Sequence, residues 1–345
     1  MVDSLSITHK SGAMQHAYWL QNLTKFKLLS LLFFYFLLTF LPIAYTNEHS
    51  QSHQCRLWGM IGNTLPEETV YDHLINLPYS LKNLGAANDD GWGLAYYNST
   101  EPRVLRSALP AYTDPDFNLA VQELSSNNAH VAVGHVRLAA SGASGIPNPH
   151  PFIRFKGGKW WAFGHNGVLS KETLITLVGQ EYLAQNPPTV GSNWSDPNVV
   201  DSELYLLYIL KCVEENGWNV TAGIARAVGD ISSVDSGAMN FFLTDGETLW
   251  GFCLGNTLYY EYTVNSQERY SALASQPPTN TQDGWIALRD YNLVILTRNS
   301  PPVVIEDVIA VPEFPSSTAI VVAILLTLLI LVVHRKKSQT QQKSE

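Results

Sequence analysis

One cysteine most constrains what this chain can become. The stretch Gln54-Cys55-Arg56-Leu57-Trp58-Gly59-Met60-Ile61-Gly62 puts it where a removable leader would end and a buried strand would begin. If the chain is cut just ahead of Cys55, that residue carries a thiol and a free α-amine. An α-amine has a pKa near ~8 and can take a thiol's proton, so the residue would hold a nucleophile and its base together. A lone cysteine at the head of an apolar run is equally an ordinary small core residue. Both readings stand until the rest of the chain is weighed.

The two ends are unusually apolar for a chain that is 46% hydrophobic and 15% charged. Lys25 and Lys27 precede an apolar run over 28–41, which Pro42 breaks, with small residues near Ala44. That is the pattern of a secretory signal, so residues 1–46 are expected to be a leader, with an uncleaved anchor as the competing reading. Residues 47–54 would then remain as a short propeptide. At the other end, residues 318–333 carry no charge and Arg335-Lys336-Lys337 follow. A transmembrane helix over 316–334 is expected, with a basic cytoplasmic tail over 335–345 and the preceding domain outside the cell membrane. Pro301, Pro302, Pro312 and Pro315 mark 301–315 as a stiff stalk. The order Pro312-Glu313-Phe314-Pro315, apolar segment, basic cluster resembles the sorting signals of archaeal surface proteins. That resemblance implies a membrane transpeptidase as a partner; a plain anchored stalk is the other reading.

Between the ends, residues 47–315 hold 28 acidic and 14 basic side chains. A domain this acidic is a poor ligand for nucleic acid or an anionic membrane surface. The three cysteines, Cys55, Cys212 and Cys253, cannot all pair within one chain. A Cys212–Cys253 bond leaves Cys55 free; two buried free thiols fit equally. No metal-ligand spacing and no phosphate-binding loop is present, and no cofactor is expected.

Apolar periodicity and turn residues predict an α+β layered domain over 55–300. Strands are expected at 55–62, 92–97, 104–109, 130–139, 160–169, 241–244, 248–253, 258–263 and 293–297. Helices are expected at 67–84, 116–125, 174–183, 203–213 and 220–228. Asp245-Gly246 is the turn of a hairpin.

Four motifs between these elements could carry chemistry. In His135-Val136-Arg137-Leu138-Ala139-Ala140-Ser141-Gly142, Arg137 ends an apolar strand, and a buried guanidinium needs an anionic partner. The partner is either an internal acid or a substrate carboxylate. In His165-Asn166-Gly167, the asparagine amide and the glycine N–H suit an oxyanion hole, or simply a hairpin turn. Asp201-Ser202-Glu203 opens a helix, where Asp201 would cap it or meet a substrate ammonium. Asn148-Pro149-His150-Pro151-Phe152 reads as a rigid scaffold turn.

Taken in order with Cys55 and Asp90-Gly91-Trp92-Gly93, these motifs resemble the class II glutamine amidotransferases of the N-terminal-nucleophile hydrolase superfamily. The short single-domain members, including γ-glutamyl-amide hydrolases, are the most similar. The resemblance runs from Cys55 to Leu296 and implies a four-layer αββα sandwich. It implies Cys55 as nucleophile with its own freed amine as base, and Asn166 and Gly167 as oxyanion donors. Arg137 and Asp201 would hold the carboxylate and ammonium of a γ-glutamyl substrate, with His165 and Ser141 as further substrate contacts. Two departures bear on the substrate. Leu138-Ala139-Ala140-Ser141 follows Arg137 where other patterns are usual, and Gln276 stands where an acid is usual. Acyl-amide cleavage on the same superfamily fold, and a non-catalytic surface module, are the alternative functions.

Overall fold

The first strand shows why this sequence builds layers. In a computed structural model describing residues 54–309 except 141, 143, 144, 146, 147, 192, 195, 266, 267 and 280, β1 (Arg56–Gly62) sends alternate side chains to opposite faces. Leu57 and Ile61 enter one core, while Trp58 and Met60 enter another. The strand is apolar throughout because both of its faces are covered. Gly59 lies under the opposite sheet: a Cβ there would come within 3.0 Å of the Leu249 side chain.

β1 is the middle of a seven-stranded sheet. Its other strands are β2 (Trp92–Tyr97), β3 (Arg103–Ser107), β4 (Val131–Val136), β9 (Tyr259–Val264), β10 (Arg269–Ala274) and β11 (Ile286–Ala287), in the order β11-β9-β10-β1-β4-β2-β3. The facing six-stranded sheet contains β5 (Phe152–Lys156), β6 (Lys159–Asn166), β7 (Asn240–Thr244), β8 (Thr248–Phe252), β12 (Leu293–Thr297) and β13 (Val303–Ile305). Its order is β13-β12-β8-β7-β6-β5. Neighbouring strands run antiparallel in both sheets.

Helices α1 (Glu67–Tyr71), α2 (Leu81–Leu84) and α3 (Pro115–Ser126) cover the first sheet. α4 (Lys171–Val178), α5 (Gln180–Gln185), α6 (Asp201–Glu215) and α7 (Val220–Ser232) cover the second. Three apolar cores therefore separate four layers, the arrangement that the family resemblance implied. Side-chain caps start four of the described helices: Ser80 accepts from the Asn83 N–H, Asp114 from Asp116, Ser170 from Thr173 and Asn219 from Ala222.

Several expectations change. The helix predicted over 67–84 breaks: α1 passes into a π-helical turn at Asp72–Asn76, and Leu77 is extended. Pro78 follows Leu77, and a residue before proline is pushed out of the helical region. The helix predicted over 174–183 divides at Gly179, whose φ of +81° no helix can continue. Strands β5, β10, β11 and β13 were not expected, and β13 pairs with β12 inside the stretch read as a stalk. Cys212 and Cys253 are both free. The first is packed in the helix-side core and the second in the core between the sheets, so the six-stranded sheet stands between them.

The C-terminal transmembrane helix is corrected. Among the described residues no helix is long and apolar enough to cross a membrane. The longest, α6, has 15 residues where a span needs roughly 20, and it includes Asp201, Glu203, Lys211, Glu214 and Glu215. The segment 316–334 itself lies outside the described residues, as do the leader at 1–46, residues 47–53 of the propeptide, the Pro-Glu-Phe motif at 312–315 and the tail at 335–345. The architecture described is the mixed α/β sandwich alone.

Candidate active site

Strand register brings the first two site residues together. Arg56 pairs with Val136 across β1 and β4, so Cys55 and Arg137 are the next residues out at the same end of the sheet. Cys55 Sγ donates to the Leu138 carbonyl at 3.4 Å and accepts from the Leu138 N–H at 3.3 Å. The turn before β2 clasps Arg137 through its backbone. The Arg137 N–H donates to Gly91 O at 2.8 Å, and Arg137 O accepts from the Asp90 N–H at 3.0 Å. Asp90 Oδ2 then accepts from the Ala139 N–H at 2.7 Å. Gly91 must be glycine here: its φ is +106°, and a Cβ would lie 2.6 Å from Ser107 O. The motif Asp90-Gly91-Trp92-Gly93 thus has a job, which is to set the strand end that presents Arg137.

The second sheet supplies the opposite wall. Asp201 is the first helical residue of α6, and Val200 stands at the cap position without a side-chain bond. The carboxylate is therefore not the helix cap. It is buried and its Oδ2 accepts from the Leu169 N–H at 2.8 Å, in the loop that follows β6. A carboxylate in the first turn also sits favourably in the helix dipole. The next two residues face other tasks. Ser202 Oγ donates to His165 Nδ1 at 3.0 Å, and Glu203 forms an ion pair with Arg154 and accepts from the Thr189 N–H at 2.9 Å.

His165 donates from Nε2 to Ala238 O at 3.0 Å. Both ring nitrogens are thus engaged within the protein, and burial holds the imidazole's pKa below its usual value, leaving it neutral. His165 borders the cleft as a strut between β6 and α6 and offers no ring nitrogen to a substrate. Asn166 ends β6 opposite Asn240 of β7. Its Oδ1 is buried without a hydrogen-bond partner among the described residues. Gly167 follows, and a Cβ on it would lie 1.8 Å from Ala238 O, so only glycine fits.

Cys55, Arg137, His165, Gly167 and Asp201 line one cleft, together with Leu138, Ala140, His150, Val200 and Ser202. Asn166 is not among the lining residues, and Ser141 lies outside the described residues. The cleft's water-accessible space is about 20 Å³, enough for about one water. His150, expected to be scaffold, is a wall of this cleft. Its ring centroid lies 4.2 Å from that of His135, and neither of its nitrogens has a partner among the described residues. Burial keeps its pKa well below the usual histidine range. Asp90 and Ser202 stood in the quoted motifs without a role of their own, because backbone and strut contacts leave no spacing signal.

Electrostatics define what the cleft can do. Burial pushes the Cys55 thiol up to about 11, with the Leu138 hydrogen bond and Arg137 working in the other direction. Such a thiol is protonated near neutrality and needs a base. While Gln54 is joined to it, the Cys55 nitrogen is an amide and cannot serve. Arg56 Nη1 holds that junction, donating to Gln54 O at 2.8 Å and Cys55 O at 3.2 Å. Burial lowers the Arg137 guanidinium's pKa, opposed by Cys55, Asp90 and Asp201 nearby. One wall is cationic and the other anionic. Among the described residues no group of histidine, cysteine and acidic side chains has a metal-binding arrangement.

Comparisons with known proteins agree with this geometry. The family model "Glutamine amidotransferases class-II" matches residues 55–267. The glutamine amidotransferase-like protein YafJ of Escherichia coli (strain K12) is 26% identical over 172 residues, covering 48% of this chain and 61% of YafJ. A γ-glutamyl-hercynylcysteine sulfoxide hydrolase of Mycobacterium tuberculosis (strain CDC 1551 / Oshkosh) is 33% identical over 214 residues, covering 62% of this chain and 78% of that protein. Across the first three curated relatives the match spans 48% to 65% of their own length. Among solved structures, the glutamine phosphoribosylpyrophosphate amidotransferase of B. subtilis superposes with a TM-score of 0.51 at 15% identity. That match covers 73% of this chain and 49% of the other, and it speaks to the fold alone. With a family match that begins at Cys55 and takes in every strand end lining the cleft, this chain belongs to the class II glutamine amidotransferases.

Proposed function

We propose that this chain hydrolyses the γ-amide bond of glutamine or of a γ-glutamyl compound through a thioester on Cys55. The observation that carries the reading is the convergence of a thiol, a guanidinium and a carboxylate on one cleft, at Cys55, Arg137 and Asp201. A γ-glutamyl group has an α-carboxylate and an α-ammonium at one end and an amide at the other. Arg137 takes the carboxylate, Asp201 the ammonium, and the amide carbonyl falls to Cys55. The hydrolase relative from Mycobacterium tuberculosis, by its name, acts on a γ-glutamyl compound, which supports this substrate class.

The steps follow from the residues. The Cys55 α-amine, once freed from Gln54, takes the thiol proton as sulfur attacks the γ-carbonyl carbon. The oxyanion is held by the Gly167 N–H, which lines the cleft, and by the Asn166 side-chain amide once it turns into the cleft from the adjoining position. The C–N bond breaks, the departing amine receives the proton, and a γ-glutamyl thioester remains on Cys55. Water then attacks the thioester and releases glutamate and the thiol. An acyl-amide substrate without charges makes no use of the guanidinium and carboxylate that line the cleft at Arg137 and Asp201, which disfavours the acylase alternative.

The test is a substrate panel of glutamine, γ-glutamyl amides and fatty-acyl amides, run on protein whose first residue is Cys55. Hydrolysis confined to the γ-glutamyl compounds, and lost in Cys55→Ala, is expected. Preference for fatty-acyl amides, or unchanged hydrolysis in Cys55→Ala, would overturn the reading.

A further inference from the structure

The peptide unit between Asn166 and Gly167 has two ends. Its N–H belongs to Gly167, the oxyanion donor of the proposed reaction. Its C=O belongs to Asn166 and accepts a hydrogen bond from Asn256 Nδ2 at 2.9 Å. Asn256 lies in the loop between β8 and β9, 90 residues from Asn166, and is 7% exposed.

A second asparagine holds that loop. Asn240, fully buried on β7 and directly across from Asn166, accepts from the Asn256 N–H at 3.1 Å and the Leu254 N–H at 3.0 Å. It donates through Nδ2 to Asn256 O at 2.9 Å. Gly255, between the two anchored residues, has a φ of +90°, a conformation that glycine adopts without strain. One asparagine side chain thereby fixes the backbone of Asn256 on both sides, and Asn256 in turn fixes the Asn166 carbonyl.

We infer that Asn256, locked by Asn240, is a positioning residue that orients and polarises the Gly167 N–H for the oxyanion. Two physical effects act through the one bond. A hydrogen bond to a peptide carbonyl fixes the plane of that peptide, so the N–H at its other end keeps its direction before substrate arrives. It also draws electron density toward the oxygen, which makes the N–H a stronger donor; hydrogen bonds in a chain reinforce one another in this way. Gly167 cannot rotate freely to compensate, because Ala238 O occupies the space beside its Cα. A bond that served only to fill the loop's hydrogen-bonding needs could end on any carbonyl. This one ends on the peptide that carries the oxyanion donor.

The inference rests on the proposed reaction for its kinetic part, and its structural part is tested without substrate. Protein labelled with ¹⁵N-glycine is compared with Asn256→Asp and Asn256→Ala, each checked for a native-like unfolding transition. The Gly167 amide resonance is expected to move upfield in ¹⁵N in both variants, with glycines far from the loop unmoved. With a γ-glutamyl amide, kcat is expected to fall by roughly tenfold or more while KM stays within about twofold, since weakening one donor costs less than removing it. Alkylation of Cys55 by iodoacetamide, which forms no oxyanion, is expected to keep the wild-type rate. As pH falls, Asn256→Asp is expected to regain activity relative to wild type, because a protonated carboxyl can donate to the same carbonyl; Asn256→Ala is not. If Asn256→Ala does not fold, Asn256→Asp alone supplies the comparison. A stationary Gly167 resonance, or alkylation falling in step with kcat, would overturn the relay. If wild type cleaves no γ-glutamyl amide, the proposed reaction falls, and the Gly167 resonance still decides the relay.

Discussion

Cys55 and Cys253 are alike in isolation and different in setting. Burial raises both thiols, to about 11 and about 12, and both rest on backbone carbonyls. Cys253 is enclosed between the sheets, where Asn240 and the Asn256 carbonyl meet its sulfur. Cys55 lies at the edge of a cleft with a cation on one wall and an anion on the other. A raised thiol pKa therefore does not separate the proposed nucleophile from a core residue in this molecule. Position at the mouth of a charged cleft does, along with the prospect of a free α-amine on the same residue.

The sharpest way to break the comparison is to remove each sulfur. Cys55→Ala is expected to lower γ-glutamyl hydrolysis by roughly 10⁴-fold or more, as loss of a nucleophile does. Cys253→Ala is expected to leave steady-state turnover within about twofold and to lower stability by about 1 kcal/mol, read from denaturant midpoints. Equal losses in the two variants would erase the distinction.

Next in size is Gly167→Ala. The added methyl meets Ala238 O, so the loop must shift and the oxyanion donor with it. A loss of ~10²–10³-fold in kcat is expected. Arg137→Gln follows, with a loss of ~10²-fold in kcat/KM carried mainly by KM, because the clamp binds ground state and transition state alike. A pure kcat effect would place Arg137 at the reacting carbonyl instead.

The smallest effect sharpens the account of the base. With Gln54 attached, alkylation of Cys55 is expected to keep rising with pH beyond pH 9 toward a midpoint near 11, because the thiolate is the reactive form. With Cys55 as the first residue, its α-amine, with a pKa near ~8, takes the thiol's proton, so alkylation is expected to rise from near pH 8 instead. A profile that does not change with the cut would remove the amine from the mechanism.

What could be read from the sequence was whatever local chemistry announces. The apolar run at β1, the guanidinium at the end of β4 and the acid at the head of α6 all depend on residue type and near neighbours. The breaks in two helices were also legible in principle, at Pro78 and at Gly179. Long-range partners were not. Nothing local to His165 indicates that Ser202 and Ala238 occupy both its nitrogens, so its motif suggested a substrate contact. Asn256 beside Gly255 looks like any turn asparagine; its value appears only when β7 sets Asn240 opposite Asn166. Strand β10 has the weakly patterned sequence RYSALA and exists because β1 and β9 flank it on both sides.

The most direct measurement traps the intermediate. Protein beginning at Cys55 is mixed with a γ-glutamyl amide, quenched in acid within the first turnover, digested and examined by mass spectrometry. The account predicts one γ-glutamyl group on the peptide that carries Cys55, and none on those that carry Cys212 or Cys253. Release of glutamate with no adduct on Cys55, or an adduct on either of the other cysteines, would contradict it.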